Sequence, residues 1–383
     1  MIAKRISQIT PSVTLEITAK AKELKKQGVD VVNFASGEPD FGTPDFINEA
    51  AIKAIREGFT KYTPATGTPQ LKEAVCEKLK KENGLDYAPD QIVVSCGAKH
   101  SLYNLFQTIC QEGDEILLPS PYWLSYPEMI KLAGAKPVVV KTDMQNFTLE
   151  LGALKKAITK KTKALILNSP SNPTGAVYSV ELLKKISELS LEKKLLIVSD
   201  EIYEHLIYDG QKHVSIASLG KDIYDLVFVV NGVSKSHAMT GWRIGYMAGR
   251  RDVIKGVSSL QSHSTSNPSS ISQAAALAAL KEGSACIRVM AAEFEKRRNA
   301  MIEELKKIKA LKAIKPGGAF YCFVDISRTG MKSVDFTKKM LTQIHVAAIP
   351  GKPFGEDDYV RLSFAVNIPE IKKGIQRIKD WLS

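Results

Sequence analysis

The chain has 383 residues, of which 44% are hydrophobic and 25% charged, a composition that is ordinary for a globular protein and excludes long disordered tracts. Its five cysteines form no CxxC pair, so we expect reduced thiols in a cytosol rather than disulfides or a zinc site. The net charge of +12 is scattered in pairs along amphipathic segments, which argues against nucleic-acid binding. The N-terminus has no apolar signal region and no apolar run approaches the ~20 residues of a membrane span, so we expect a cytoplasmic protein.

The N-terminal part of the chain combines one helix, one strand and two long turns. Residues 14–27 predict a helix and residues 29–36 an apolar strand. Turn-forming residues follow at 36–44 and 61–69, on either side of a helix predicted over 45–57. Gly37, in the first turn, would let a ligand approach the backbone closely, although a plain loop is the simpler interpretation.

Apolar strands then alternate with helices as far as residue 249. The strands are predicted at 92–95, 115–119, 138–141, 164–168, 195–199, 227–230 and 244–249, and the helices at 101–110, 125–133, 153–158 and 180–192. This alternation predicts an α/β fold with a mainly parallel, seven-stranded sheet between helices. Ligands of such folds bind at the carboxyl ends of the strands.

The last third of the chain follows a different pattern. Helices are predicted at 253–261, 271–283 and 285–308, and a small α+β domain with a terminal helix comes after them. We therefore expect an N-terminal arm that joins the small domain (residues 1–40), a large cofactor-binding domain (41–282) and a C-terminal small domain (283–383).

Three chemically distinctive segments follow predicted strands. Gly97 and Ala98 connect a strand to a helix, where backbone N–H groups at a helix N-terminus can bind phosphate. Trp123 follows the next strand and could stack on a planar ring, although a packed indole is equally plausible. Asn172 lies in a loop fixed by two prolines, where its amide could bind substrate oxygens.

Two further strand ends carry ionisable side chains. Asp200 and Tyr203 come at the end of the 195–199 strand, and an aspartate buried there needs a cation as partner, unless it caps a helix. Lys235 lies between two serines in the exit from the 227–230 strand, and Arg243 opens the next apolar run. A lysine held between buried strands has a lowered pKa and can form a Schiff base as the neutral amine, whereas an ordinary surface lysine is the alternative.

A phosphate cradle, a stackable aromatic ring, an aspartate that faces a cation and a lysine between strands are the parts that pyridoxal phosphate (PLP) requires. From end to end, the chain resembles the class I, fold-type I PLP-dependent aminotransferases, and most closely the bacterial aspartate aminotransferases. The resemblance rests on seven segments that occur in the family's order: ASGEPDF, KYTPATG, PYWLSYPEM, NSPSNPTGAVY, SDEIYEHL, SKSHAMTGWRIGY and RLSFA.

The resemblance implies a role for each matching residue of the cofactor site. Lys235 would form the Schiff base and carry the proton during catalysis, and Asp200 would pair with the pyridine nitrogen. Tyr203 and Asn172 would bond the ring's phenolic oxygen. The remaining ring and phosphate contacts would come from Gly97, Ala98, Trp123, Ser234, Arg243 and, from the second subunit of a homodimer, Tyr62.

The resemblance also implies how a substrate binds. Arg361 would grip the α-carboxylate through a bidentate fork, with help from Asn172, Trp123 and the backbone of Gly37. Lys99 and Thr14 would receive the distal carboxylate of a dicarboxylic substrate. The expected reaction is therefore ping-pong transamination of L-aspartate and 2-oxoglutarate to oxaloacetate and L-glutamate. Relatives that share this pair also transaminate prephenate, so prephenate or aromatic substrates remain an alternative.

Other classes of protein are less compatible with the sequence. β-Lyases, decarboxylases and synthases share the fold and the cofactor, but Arg361, Lys99 and Thr14 together favour dicarboxylate transamination. A DNA-binding regulator would need a helix-turn-helix segment, which we do not expect because the resemblance begins at the N-terminal arm. A nucleotide enzyme would need GxGxxG or GxxxxGK[ST] after a strand, and the sequence contains neither.

The histidines are the main departure from the family pattern. His237 stands where relatives usually carry an aromatic residue, and His100 where glutamine is common. Packing is the simpler interpretation of both, and an effect on the Lys235 loop is the alternative. The other four, His205, His213, His263 and His345, show no ligand spacing in the sequence, so we expect no metal.

Overall fold

A computed structural model describes residues 2–11 and 13–383, without the side chains of Lys4, Thr14 and Leu15. The helices are α1 (Val13–Lys26), α2 (Asp45–Arg56), α3 (Pro69–Asn83), α4 (Ala98–Ile109), α5 (Ser125–Leu132), α6 (Leu151–Ala157), α7 (Val180–Lys193), α8 (Lys221–Tyr224), α9 (Arg251–Ser262), α10 (Ser270–Glu282), α11 (Ser284–Leu305), α12 (Ser333–Gln343) and α13 (Ile368–Leu382). The strands are β1 (Val32–Asn33), β2 (Ile92–Ser95), β3 (Glu115–Ser120), β4 (Lys136–Asp143), β5 (Thr148–Leu149), β6 (Thr162–Asn168), β7 (Leu196–Asp200), β8 (Val227–Gly232), β9 (Gly245–Ala248), β10 (Lys312–Ala313), β11 (Tyr321–Asp325), β12 (Val346–Ala347), β13 (Ile349–Pro350) and β14 (Tyr359–Ser363). Within the described residues, none of the helices has both the length and the apolar character that a membrane crossing requires.

The larger sheet has eight strands in the order β2-β9-β8-β7-β6-β3-β4-β5. The central pairs from β8 to β4 are parallel, whereas β9 runs antiparallel to both of its neighbours. The prediction of a mainly parallel α/β sheet is confirmed, and all seven predicted strands are present. The predicted number of strands is one too low, because β5, a two-residue strand antiparallel to β4, is too short to leave a pattern in the sequence.

Helices cover both faces of this sheet, because its central strands are buried on both sides. Side chains from α4, α5 and α9 fill the core on one face, and those from α2, α3, α7 and α10 fill the core on the other. Helix α3 is absent from the sequence prediction. Its Thr68 cap and Pro69 first residue resemble a turn in the sequence, although both residue types also begin helices.

A smaller unit is built on the antiparallel sheet β10-β11-β14-β13. Helices α11, α12 and α13 contribute to a separate core that contains Phe294, Phe320 and Phe364. The predicted strand at 29–36 shrinks to β1, which pairs in parallel with β12. The change from one core to the other falls at Gly283, between α10 and α11, and the division into domains at this point stays a prediction.

Phe294 offers a test of the smaller core. Its ring is fully buried and lies 5.4 Å, centroid to centroid, from each of Phe41 and Phe320. We expect Phe294→Ala to lower the free energy of unfolding by about 3–5 kcal/mol, because the substitution removes buried apolar contacts and leaves a cavity in the core. Val289→Ala, on the same helix but 68% exposed, should change it by less than about 0.5 kcal/mol. Denaturant unfolding at fixed protein concentration measures both, and equal losses in the two variants would contradict this packing.

Candidate active site

A cleft of about 270 Å³ opens at the carboxyl ends of the parallel strands. It is lined from both sheets, since the ends of β6 and β7 and the bend after β8 supply one wall and β11 and β14 supply the other. Most of the predicted site residues line it: Gly37, Ala98, Lys99, Trp123, Asn172, Asp200, Tyr203, Ser234, Lys235, Arg243 and Arg361. The structure therefore brings together residues that are up to 324 positions apart in the chain (361 − 37).

Lys235 reaches the cleft from the bend that follows β8. Its Nζ atom donates a hydrogen bond of 2.6 Å to the carbonyl oxygen of Gly37. Burial lowers the pKa of Lys235 to about 8; the charge of Glu38 opposes this shift, and nearby cations, including Arg243 and Arg361, add to it. Near neutral pH, a larger fraction of this amine is therefore uncharged and nucleophilic than of a surface lysine.

Asp200 ends β7 as a buried carboxylate. Tyr126 donates its hydroxyl to Oδ2 at 2.6 Å, and the backbone N–H of Ile202 donates to Oδ1 at 3.3 Å. Burial raises the pKa of Asp200 to about 6, although both hydrogen bonds oppose the shift. Among the described side chains it forms no ion pair with a lysine or arginine, and the turns that follow it do not make it a helix cap. A cation is therefore the partner that this carboxylate lacks.

Arg361 is a buried cation on the opposite wall. Its side chain is 2% exposed, and it donates to Asn172 Oδ1 at 3.0 Å and to the Ala35 carbonyl at 3.2 Å. Nε has no partner in the part of the chain that the structure describes. The guanidinium lies 4.2 Å from the ring of Tyr321, whose hydroxyl is 2.9 Å from that of Tyr203. A guanidinium that lines the cleft and forms no salt bridge among the described side chains is suited to a carboxylate ligand.

The N-terminus of α4 and Arg243 form a cradle for an anion. Gly97 has φ +90°, and a Cβ atom there would fall 2.3 Å from Nη2 of Arg243, so only glycine leaves room for this guanidinium. A Cβ atom at Gly245 would lie 2.1 Å from the backbone nitrogen of Ala98, so this glycine lets β9 approach the start of the helix. A helix N-terminus beside an arginine is a favourable place for phosphate.

Lys99 and Trp123 lie side by side at the mouth of the cleft. Nζ of Lys99 is 4.8 Å from the centroid of the indole ring. Burial, together with the charge of Arg243, lowers the pKa of Lys99. In the described part of the chain, Lys99 forms no salt bridge, so a negatively charged group of a ligand can pair with it.

Three predicted site residues do not line the cleft. Gly97 contacts the guanidinium of Arg243 rather than the cleft, and its lack of a side chain leaves room for that guanidinium. Tyr62 is 91% exposed and outside the cleft of its own chain. Thr14 belongs to α1, but its side chain is outside the part of the chain that the structure describes.

Two tyrosines, Tyr126 and Tyr321, are among the cleft residues that the sequence prediction missed. Tyr126 follows Trp123 by three positions in the first turn of α5, a spacing that could have suggested a shared side. Tyr321 pairs with Ser363 in the smaller sheet, and its contact with Tyr203 depends on how the two cores meet. No local pattern in the sequence carries that information.

Two of the histidines lie beside carboxylates in the folded chain. The structure places His205 and His213 each beside two carboxylates, in the groups Glu82–Glu204–His205 and Glu201–Glu204–His213. Of these carboxylates only Glu82 comes from a distant part of the chain, since Glu204 is next to His205, and Glu201 and Glu204 lie within twelve positions of His213. Both groups share Glu204, which already binds Lys78 Nζ, Asn83 and Asn231. The expected absence of a metal stays a prediction.

Comparisons with known proteins identify the family of the chain. The family model for aminotransferases of class I and II matches residues 29–378. The aspartate aminotransferase of Bacillus sp. (strain YM-2) is 50% identical over 99% of this chain and 98% of its own length. The probable aspartate/prephenate aminotransferase of Aquifex aeolicus (strain VF5) is 48% identical over 100% of this chain and 98% of its own. The structure of aspartate aminotransferase from Thermus thermophilus with maleate superposes with a TM-score of 0.96, at 42% identity and 99% coverage of both chains.

Fold and sequence together define the protein as an aminotransferase. The chain belongs to the family of class I and II aminotransferases, whose members depend on PLP. Three observations show that the residues of the cleft are compatible with PLP. Asp200 is a buried carboxylate without an ion pair in the described residues, and Lys235 is an amine with a lowered pKa. The anion cradle at the start of α4 has space that a side chain at Gly97 would fill.

The raised pKa of Asp200 predicts how the stability of the protein without cofactor depends on pH. Its folded pKa of about 6 lies above the ordinary value of ~3.9, so the folded state binds more protons than the unfolded state between these pH values. The contribution of Asp200 to the free energy of unfolding should therefore fall as pH rises from 4 to 6, and Asp200→Asn should remove this loss. We expect the variant to be the more stable protein at pH 7, by up to ~3 kcal/mol, and to match the wild type near pH 4.

Urea unfolding of both proteins across this pH range measures the difference. Asp252→Asn is a control of opposite sign, because Arg250 holds the pKa of that exposed carboxylate below its ordinary value. The control should lose stability at neutral pH and regain it in acid. A wild-type advantage at pH 7 over Asp200→Asn would show that the buried carboxylate is not unfavourable.

Proposed function

We propose that the protein catalyses the reversible transamination of L-aspartate and 2-oxoglutarate to oxaloacetate and L-glutamate by a ping-pong mechanism. The observation that carries this proposal is the pairing of two cations, Arg361 and Lys99, in the cleft that holds Lys235 and Asp200. Neither cation forms a salt bridge among the described side chains. Two such cations are suited to the two carboxylates of a dicarboxylic amino acid.

The resemblance to the family assigns the residues that would hold PLP, and most of them line the cleft. Gly97, Ala98, Ser234 and Arg243 would bind its phosphate, Trp123 would stack on its ring, and Tyr203 and Asn172 would bond its phenolic oxygen. Asp200 would pair with a protonated ring nitrogen, which would favour the ionised carboxylate in its buried position. When bound, the cofactor supplies an electron sink for the charge that develops at Cα of the amino acid.

Lys235 would have two tasks in this mechanism. As a neutral amine it would hold the cofactor covalently, and once released it would move the proton at Cα of the substrate. Both tasks need Nζ without a permanent charge, and burial beside other cations lowers its pKa to about 8. The hydrogen bond from Nζ of Lys235 to the Gly37 carbonyl holds that atom beside the turn at Gly37, which lines the cleft.

Substrate choice would depend on Arg361 and Lys99. Arg361 would bind the α-carboxylate, since it lines the cleft without a salt bridge among the described side chains and its position is fixed by Asn172 and Tyr321. Lys99, with Thr14, would bind the distal carboxylate. The Thermus thermophilus relative was solved with maleate, which carries two carboxylates, and this supports a site for a dicarboxylate.

Prephenate is a second candidate as an amino acceptor. The name of the Aquifex aeolicus relative includes prephenate, which is itself a dicarboxylate. Lys99 would be the residue that binds its second carboxylate. Supplying prephenate or oxaloacetate to the aminated enzyme, and measuring how fast each restores the original absorbance of the cofactor, separates the two acceptors.

The decisive experiment is a half-reaction. The purified protein with its cofactor is mixed with L-aspartate, L-glutamate, L-phenylalanine or L-alanine, without a keto acid, while the absorbance band of the bound cofactor is followed. We expect rapid loss of the band with aspartate and glutamate and slow loss with the other two. Lys99→Ala should reduce the preference for aspartate over alanine by about ten- to hundredfold, the value of one charge-assisted hydrogen bond.

Lys235→Ala is the control that should bind cofactor without losing its band. If none of the four amino acids changes the band in the wild type, the transamination proposal fails. Release of ammonia together with a keto acid would instead indicate a β-lyase.

We further propose that the protein acts as a homodimer in the cytoplasm, with Tyr62 bound to the phosphate in the partner's cleft. Its 91% exposure and its place outside the cleft of its own chain support a role across subunits. In mixed dimers of Tyr62→Ala and Lys235→Ala, one cleft would then carry both substitutions and the other neither. We therefore expect mixing to restore wild-type cofactor affinity in half of the sites of these hybrids. No recovery in hybrids verified by mass would contradict a shared site.

A further inference from the structure

His237 follows Lys235 by two residues and is buried on the far side of the same bend. Its side chain is 3% exposed, and its backbone N–H donates to the carbonyl of Val233 at 3.1 Å. On one edge of the ring, Nδ1 lies 2.7 Å from the hydroxyl of Ser236. On the other edge, Nε2 is buried and has no hydrogen-bond partner among the described residues. A buried polar atom without a partner is costly and needs an explanation.

The unpartnered Nε2 faces the point where α10 ends and α11 begins. A Cβ atom at Gly283 would fall 2.3 Å from Nε2 of His237 and 2.3 Å from the carbonyl oxygen of Ala279. That carbonyl accepts the N–H of Gly283 at 2.9 Å, which leaves one of its two lone pairs. The imidazole edge therefore fits against a stretch of backbone that only glycine leaves open.

These neighbours select one tautomer of the ring. If Nδ1 carried the proton, Nε2 would be an acceptor that faces the carbonyl oxygen of Ala279, and two acceptors repel each other. If Ser236 donates to Nδ1, the proton sits on Nε2 and points toward that oxygen. The second arrangement satisfies both edges of the ring. It makes a chain of donors from Ser236 through His237 to the end of α10.

Gly283 also marks the change between the two cores of the molecule. Ala275, Ala276 and Ala279 of α10 pack in the core of the larger sheet. Met290 and Phe294 of α11 pack in the core of the smaller unit, which also supplies Arg361 to the cleft. His237 thus joins the loop of the cofactor lysine to the segment where the chain passes from one core to the other.

We propose that His237 is a positioning residue, which fixes the Lys235 loop against the end of α10 through an Nε2–H group directed at the Ala279 carbonyl. This inference rests on the proposed function, since it treats Lys235 as the residue that carries the proton. Burial lowers the pKa of His237 to about 4; the charges of His205 and Lys78 act in the same direction, and the backbone carbonyl of Ala279 and the charge of Glu82 oppose them. The ring is therefore neutral in ordinary assays and acts as a neutral donor.

Three substitutions separate the two edges of the ring. His237→Gln can place an amide N–H near the position of Nε2, and His237→Asn can place one only near Nδ1. His237→Phe fills the volume and supplies neither group. If the Nε2–H contact positions Lys235, the Phe and Asn variants should show kcat lowered about two- to tenfold with KM unchanged, the range expected for one neutral hydrogen bond. The Gln variant should keep most of the wild-type kcat.

The ring itself gives a readout that does not depend on catalysis. In protein labelled with ¹⁵N-histidine, the signal that disappears in His237→Gln identifies His237, and we expect it to show a protonated Nε2 and an unprotonated Nδ1. Ser236→Ala, which removes the donor to Nδ1 without changing the ring, should mix the two tautomers and lower kcat in the same direction. Melting temperatures of all variants test for loss of folding.

The outcomes are separable. A protonated Nδ1 in the wild type would overturn the proposed contact. Wild-type kcat in both His237→Phe and Ser236→Ala would overturn the positioning role, and so would a Gln variant as slow as the Phe variant at the same melting temperature. If the wild type itself fails in the half-reaction with aspartate, the proposed function falls, whereas the tautomer measurement still decides the contact.

Discussion

The cleft depends on one unfavourable constraint, a carboxylate buried at the end of β7 without an ion pair among the described residues. Removing Asp200 from water raises its pKa to about 6, and its hydrogen bonds from Tyr126 and Ile202 offset only part of that shift. Lys235, which follows the neighbouring strand β8, has the complementary problem, because it is desolvated near other cations and its pKa falls to about 8. A ligand with a cationic centre and several anionic groups would relieve both strains at once. We regard these two unfavourably buried groups, Asp200 and Lys235, as the physical basis of the site.

The sheet explains why these charges stay where they are. Parallel pairing places Asn168, Asp200 and Val230 side by side at the ends of β6, β7 and β8, so Asp200 cannot withdraw toward solvent without breaking the register. Glycine at 97 and 245 brings the N-terminus of α4 and the guanidinium of Arg243 together beside them. Rigid strands and close backbone contacts thus hold these polar groups in unfavourable positions, from which they would move away if they lay on flexible loops.

The sequence contains much of this arrangement because its apolar strands are long and evenly spaced. Seven of the eight strands of the larger sheet, and the residues that follow them, could be predicted from that alternation, whereas the two-residue strand β5 could not. Helix α3 could not, because Thr68 and Pro69 begin a helix with the residues of a turn. The contact of Tyr321 with Tyr203 depends on how two cores meet, and the exposure of Tyr62 has no explanation within one chain. Local patterns therefore predict the strand ends, whereas contacts between units require the folded chain.

The neighbours of Asp200 show that its isolation is not a general property of this region. Glu201 accepts hydrogen bonds from Ser199 and Ser215 and lies 3.0 Å from His213. Burial alone would raise the pKa of Glu204, but the charge of Lys78 and its hydrogen-bond partners hold that pKa well below its ordinary value. Three buried carboxylates thus lie within five residues, and two of them face a lysine or a histidine. Asp200 lacks such a partner among the described residues, and it is the carboxylate that lines the cleft. Because the fold pairs the neighbouring carboxylates with cationic or histidine side chains, Asp200 is the one available to pair with a ligand.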